Sequence, residues 1–134
     1  MKRVFDILVA SLLLVLTAPL WLPVGLWVRL DSPGPALFRQ TRVGLHGRTF
    51  GLLKFRSMVV DADRLGGHST AAGDPRITRD GRCIRRTSLD ELPQLLNVLS
   101  GEMSLVGPRP DVPAQEREYT PEDWQRRLSV RPGI

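Results

Sequence analysis

The sequence predicts a helix-rich α/β fold, in which a helix-break-helix membrane segment (residues 1–30) precedes a small cytoplasmic domain (residues 31–134) built round a β-hairpin. Three observations carry that prediction. Residues 4–28 are mostly apolar, and their only charge is Asp6. Residues 36–55 hold strand-like runs on either side of Gly44-Leu45-His46-Gly47. Leu92, Leu95, Leu96 and Leu99 recur at the i, i+3, i+4, i+7 spacing of an amphipathic helix.

The apolar stretch, at about 25 residues, is long enough to cross a bilayer. A cleaved leader is disfavoured, because Ala18 is followed by Pro19 and the apolar character runs on to Val28. A plain spanning helix conflicts with Pro19 and Pro23 in its interior, each of which removes a backbone donor. It also conflicts with the charges. Lys2 and Arg3 stand before the segment and Arg29, Arg39 and Arg42 after it, whereas lysine and arginine collect on one side of a spanning helix. A break at Ala18-Pro19 with both ends on the cytoplasmic side satisfies both facts. The first arm, residues 5–18, is then only ~20 Å long against ~30 Å of hydrocarbon.

Asp31-Ser32-Pro33-Gly34-Pro35 reads as the turn that leaves the membrane. The hairpin follows, with strands over residues 36–43 and 48–55, and His46 at its tip is expected in solvent. Lys54 and Arg56 fall on one face of an extended strand, where a phosphate could sit. Residues 59–65 suggest a short helix, and residues 66–81 a polar, mobile loop in which His68 and Asp74 receive no role. Arg82-Cys83-Ile84-Arg85-Arg86 leads into the leucine-marked helix, which stops at Ser100-Gly101. Residues 103–107 form a strand-like segment that runs into Pro108-Arg109-Pro110. Prolines on both sides stiffen the backbone round Arg109, so its guanidinium loses little freedom on gripping a phosphate. Thr120 as N-cap, Pro121 behind it and acids in the first turn predict a last helix to about Ser129. Trp124 and Leu128 share one face of it, against either a core or a membrane interface.

One cysteine, Cys83, rules out an intrachain disulfide, offers no metal cluster and is compatible with a reducing compartment. The net charge of +5 is uneven: residues 1–60 hold eight Lys/Arg against Asp6 and Asp31, and the remainder holds eleven against twelve acids. Cations beside an apolar segment suit anionic headgroups or phosphorylated ligands. Nucleic acid is not expected as a partner, since no aromatics alternate with the basic residues and no nucleic-acid motif occurs.

Within residues 85–93, Pro93 fits only a first helical turn, which puts Asp90 at the N-cap or first helical position. The partial positive charge there favours an ionised carboxylate and draws phosphate to the same place. An ionised acid beside phosphate is a nucleophile once the repulsion is screened. Ser88-x-x-Glu91 as an ordinary capping box is the simpler reading of the same residues. Arg85 and Arg86 either meet the ligand or only balance the acids.

Several motifs occur in one order over nearly the whole chain. They are Lys2-Arg3-x-Phe5-Asp6, the proline-broken apolar segment, Phe38-x-Gln40-x-Arg42-x-Gly44, Lys54-Phe55-Arg56-Ser57-Met58, Asp74-Pro75-Arg76-Ile77-Thr78, Ser88-Leu89-Asp90-Glu91-Leu92-Pro93-Gln94 and Val106-Gly107-Pro108-Arg109-Pro110. Together they resemble the bacterial monotopic phosphoglycosyl transferases, which start glycan assembly on a polyprenol carrier. The resemblance implies a catalytic domain at the cytoplasmic face of the bacterial inner membrane, with membrane lipid as a partner. It implies a UDP-sugar donor, a polyprenol (undecaprenyl) phosphate acceptor and Mg²⁺ as cofactor. Asp90 matches the nucleophile that displaces UMP and carries the phosphosugar, and Asp90 with Glu91 the acidic pair that works with Mg²⁺. Arg109 matches the phosphate-gripping arginine and Lys54 a cation near the nucleophile; with Arg56 and Arg86 these make up the expected substrate-binding set. The membrane break, Ala18-Pro19, stands where the family often has Ser-Pro. Family members commonly continue past Pro132-Gly133-Ile134, so the resemblance implies either a chain cut short at its C-terminus relative to the family or the loss of the family's C-terminal contacts. Two other readings stay open: a direct-displacement transferase whose acids only hold Mg²⁺, and a non-catalytic, membrane-anchored basic module.

Overall fold

The apolar N-terminal segment forms one helix, α1 (Lys2–Asp31), in the computed structural model, which describes residues 1–134. The interruption expected at Ala18-Pro19 is absent, because helical structure continues through both Pro19 and Pro23. A proline removes a single backbone donor, and the bonds on either side can carry a helix past it. Packing does the rest. Asp6, Ala10, Leu14, Trp21, Val24 and Val28 follow one another at helical spacing and face the protein, whereas Pro19 and Pro23, one turn apart, lie on the exposed side.

That inward stripe joins two cores. Near its start, Ala10 packs with Phe50, Leu52, Leu95, Val98 and Met103. Near its end, Val24 and Val28 pack with Phe55 and Ile84, and Trp21 meets Phe55 edge-on at 5.8 Å. Burying each such side chain is worth about 1.5–3 kcal/mol, so α1 is held along its length by apolar contact. Polar ties pin both ends. The buried Asp6 carboxylate accepts from Ser104 Oγ at 2.8 Å and Leu105 N–H at 3.2 Å. Arg3 donates to the Val98 and Leu99 carbonyls that end a later helix, and Trp27 Nε1–H donates to Asp80 at 2.6 Å. The opposite face of α1 leaves Phe5, Leu8, Leu12, Leu16, Leu22 and Leu26 exposed.

Strands β1 (Leu37–Val43) and β2 (Thr49–Phe55) form the expected antiparallel hairpin, in register from Leu37 opposite Phe55 to Val43 opposite Thr49. His46 sits in the connecting turn with φ +56°. A two-stranded ribbon is marginal alone. Here α4 (Gln94–Ser100) covers its open edge: the buried Asn97 side chain accepts from Leu53 N–H at 3.0 Å and donates to Gly51 O at 2.9 Å. Helix α4 ends at Gly101, φ +92°, as its sequence predicts.

Helix α2 (Ala62–Leu65) occupies the end of the expected 59–65 segment. Residues 66–81 are not one loop. Thr78 Oγ1 accepts from Gly81 N–H at 3.0 Å and starts α3 (Arg79–Arg86), whose Ile84 is buried against α1. The loop before it is tied down, since Arg76 pairs with Asp74 at 2.6 Å and donates to the carbonyls of Ala62, Gly67 and Ser69. Helix α5 (Pro121–Leu128) is capped by Thr120 as expected; Trp124 is buried, with its ring 5.5 Å from that of Tyr119, which assigns this face to a core.

Candidate active site

Asp90 and Glu91 belong to a short 3₁₀ turn, Leu89–Glu91, between α3 and α4. The expected capping box does not form. Ser88 adopts left-handed backbone, φ +57°, and makes no side-chain cap, while Pro93 takes the N-cap place of α4. Asp90 therefore stands one turn ahead of the helix it was expected to start. It is buried, 5% exposed, whereas Glu91 is partly open.

The cations arrive from different elements. Lys54, at the end of β2, places Nζ 3.1 Å from Glu91 Oε1, and Arg109 Nη2 lies 3.7 Å from the same oxygen. Glu91 thus gathers both, and Asp90 is left in no salt bridge. Burial pushes the Asp90 carboxyl above its ordinary value; Lys54 pulls it back and the Glu91 charge adds to the rise. Burial likewise lowers the Lys54 ammonium, against the pull of Glu91. A carboxylate poor in solvent and ringed by cations has the environment of a nucleophile directed at an anion.

The Pro108-Arg109-Pro110 turn is stiffer than its prolines alone would make it. Its carbonyls accept in turn from Gly133 N–H (2.9 Å), Arg127 Nη2 (3.0 Å) and Arg42 Nη1 (2.8 Å). The backbone is held and the guanidinium is left 69% exposed. Gly107 permits a close backbone approach: a Cβ there would come 2.4 Å from Arg131 O.

Lys54, Asp90 and Arg109 line a cavity of about 770 Å³, joined on its polar side by Gln40, Arg42 and Arg85. Two expected substrate-binding residues do not turn their charge into this cavity. Arg56 reaches the cavity wall but turns its guanidinium onto the carbonyls of Ser32 (2.6 Å) and Pro33, just past the end of α1. Strand β2 stops at Phe55, so the alternation that would have set Arg56 beside Lys54 ends one residue early. Arg86 is exposed outside the cavity, and Arg85 faces Asp90 in its place. Gln40 and Arg42 were missed as site residues, although their alternation with Phe38 puts all three on the face shared with Lys54.

No three His, Cys, Asp or Glu side chains converge as a ready metal cage. The adjacent Asp90 and Glu91 offer hard oxygen donors, the kind of ligand that Mg²⁺ takes.

An apolar helix laid on a domain whose cavity sets cations round the buried Asp90 suits a membrane surface and phosphate-bearing ligands. The chain belongs to the bacterial sugar transferase family, whose model matches residues 1–134. It is 50% identical to a UDP-glucose:undecaprenyl-phosphate glucose-1-phosphate transferase of Caulobacter vibrioides, over 99% of this chain and 51% of that protein. It is 47% identical to the enzyme of the same description from Escherichia coli, over 100% of this chain and 29% of the relative. A UDP-N-acetylgalactosamine-undecaprenyl-phosphate N-acetylgalactosaminephosphotransferase of Aeromonas hydrophila is 44% identical over 99% of this chain and 32% of its own length. The chain thus spans about half the length of the first relative and about a third or less of the other two.

Proposed function

We propose that this chain transfers a phosphosugar from a UDP-sugar to a polyprenol phosphate such as undecaprenyl phosphate, releasing UMP, at the cytoplasmic face of a bacterial inner membrane. The observation that carries the reading is Asp90 itself, buried and unpaired on the floor of a cavity whose Lys54, Arg85 and Arg109 suit a diphosphate. The names of the relatives supply the donor and acceptor classes, and they differ in the sugar.

In the first step an Asp90 carboxylate oxygen bonds to the phosphorus that bears the sugar, the phosphoanhydride bond breaks, and UMP leaves with the electron pair. In the second, a phosphate oxygen of the lipid attacks that phosphorus and frees the carboxylate, giving a polyprenol diphosphate sugar. Lys54 and Arg109 neutralise the diphosphate oxygens and fix their orientation, while Glu91 holds both cations in place. Mg²⁺, when bound, would be held by Asp90 and Glu91 and would supply further charge neutralisation on the diphosphate.

The membrane placement rests on α1. A 30-residue helix is about 45 Å long. Lys2, Arg3 and Asp6 at one end and Trp27 and Val28 at the other all contact the same polar domain. A helix crossing ~30 Å of hydrocarbon could not keep both ends on a domain in water. Both ends therefore lie on one side of the membrane, and the flanking Lys2, Arg3 and Arg29 suit the cytoplasmic side, with the exposed leucines turned into lipid.

Intact-mass analysis after incubation with UDP-sugars and Mg²⁺, without lipid acceptor, tests the chemistry. A phosphosugar adduct on the wild type and none on Asp90→Asn is expected. Turnover without any adduct on a trapped wild-type sample would favour direct displacement instead.

A further inference from the structure

The cavity that rings Asp90 with cations also has an apolar side, for which phosphate chemistry has no use. Pro35, Leu37, Phe38, Met58, Val59 and Val60 line it, and Leu37, Phe38 and Val60 keep 38–50% of their surface exposed. Scattered exposed apolar residues are ordinary, but a group at the rim of a charged cavity marks a binding surface. The two segments that supply it are in contact. A side chain on Gly34 would come 2.9 Å from Val60 Cγ2, and Arg56 N–H donates to Ala36 O at 2.8 Å.

This rim connects two environments. Inward, Phe38 stands directly opposite Lys54 in the hairpin register, so it lies on the same face as the ammonium paired with Glu91. Outward, residues 32–36 continue from the end of α1, where Leu26 and Leu30 belong to its exposed apolar surface. Arg56 locks that junction by binding Ser32 O and Pro33 O.

We propose that the apolar rim is the entry groove for a polyprenyl monophosphate, whose first isoprene units lie along Phe38, Leu37 and Val60 while its phosphate reaches Lys54, Arg85 and Arg109. The inference rests on the phosphosugar-transfer reading and adds the acceptor's route to it. The complementarity is of both polarity and charge: an apolar tail enters from the lipid-facing side of α1, and a dianionic head meets the cationic floor.

The test is photolabelling of the wild-type chain in lipid nanodiscs by a polyprenyl monophosphate with a diazirine in its first isoprene unit, followed by peptide mapping. Labels are expected within residues 35–38 and 58–60, displaced by unmodified polyprenyl monophosphate and not by uncharged polyprenol. Labels confined to the outer face of α1, or displaced equally by the uncharged lipid, would overturn the groove. Labelling needs no turnover, so a chain that labels at the rim yet releases no UMP from any UDP-sugar would keep the groove and remove the reaction. Kinetics give a second reading. Phe38→Gln and Val60→Gln should each raise the acceptor KM about tenfold and leave the donor KM unchanged, with Phe38→Leu restoring the acceptor value. An unchanged acceptor KM, or equal rises in both KM values, counts against the proposal.

Discussion

Asp90 and Glu91 are neighbours in sequence with opposite surroundings, and their variants should differ accordingly. Because burial holds the Asp90 carboxyl above its ordinary value, the folded chain keeps a proton there that the unfolded chain has already lost. The stability this gives is complete below the ordinary carboxylate value and is lost as pH rises through the raised one. Asp90→Asn should therefore raise the Tm at neutral pH while lowering turnover by ~10³-fold or more, read from thermal melts and UMP release. A variant that melts lower, or turns over near the wild-type rate, would contradict this role. On the proposed mechanism Asp90 must also be ionised to attack, so kcat/KM for the donor should rise with pH along a limb placed above the ordinary carboxylate range. A limb within the ordinary range would assign that titration to another acid. Pro93 announces a helix start in the sequence, but neither the separate turn that holds the acid pair ahead of it nor the arginine that faces Asp90 was legible. Arg85 and Arg86 differ by about 100° round a helix, and Ile84, which fixes the phase of α3, is a single apolar residue among four cations and a cysteine.

At the scale of elements, the hairpin and α4 were legible from period and turn residues, while the polar contacts that join them were not. Asn97 interrupts the leucine pattern and reads as a solvent-facing position, yet it is 2% exposed and answers two backbone groups on the β2 edge. Asn97→Leu should cost about 3 kcal/mol in denaturant unfolding, because Leu53 N–H and Gly51 O would lose their partner. A cost below about 1 kcal/mol would mean that water reaches that edge. The segment 66–78 misled for the opposite reason: its composition is that of a mobile loop, and one arginine holds it. The Arg76 guanidinium beside Asp74 keeps that carboxyl at about 2, down from 3.8. Stability from the pair is present above the ordinary value and is lost as pH falls through the lowered one. Amide exchange across residues 62–76 should accordingly speed up between about pH 4 and pH 2 beyond its intrinsic pH dependence, and Arg76→Gln should show the faster exchange already at neutral pH. Equal protection in the wild type and the variant would remove Arg76 as the tie.

For the molecule as a whole, α1 belongs to the fold on one face and presents an apolar surface suited to a membrane on the other. Hydropathy reveals the lipid-facing surface of such a helix, because leucines face outward as they do in a spanning segment. It cannot reveal the docked face, where Ala10, Val24 and Val28 are equally apolar but touch protein. Asp6 was the visible sign. A carboxylate inside an apolar stretch needs donors, and Ser104 and Leu105 provide them from near the far end of the chain. The same ties lead to the site. Ser104 N–H donates to Pro132 O, Gly133 N–H donates to Pro108 O, and the next residue is Arg109. On the proposed membrane placement the depth of α1 sets the depth of the Arg109 turn, and a spanning orientation would pull Asp6 off Ser104 and the turn out of register. Single cysteines placed at Lys2 and Ser32 in a Cys83→Ser background, in sealed inverted membrane vesicles, should both react with a membrane-impermeant maleimide. If only one of the pair reacts, α1 crosses the bilayer and the docked arrangement does not persist in the membrane.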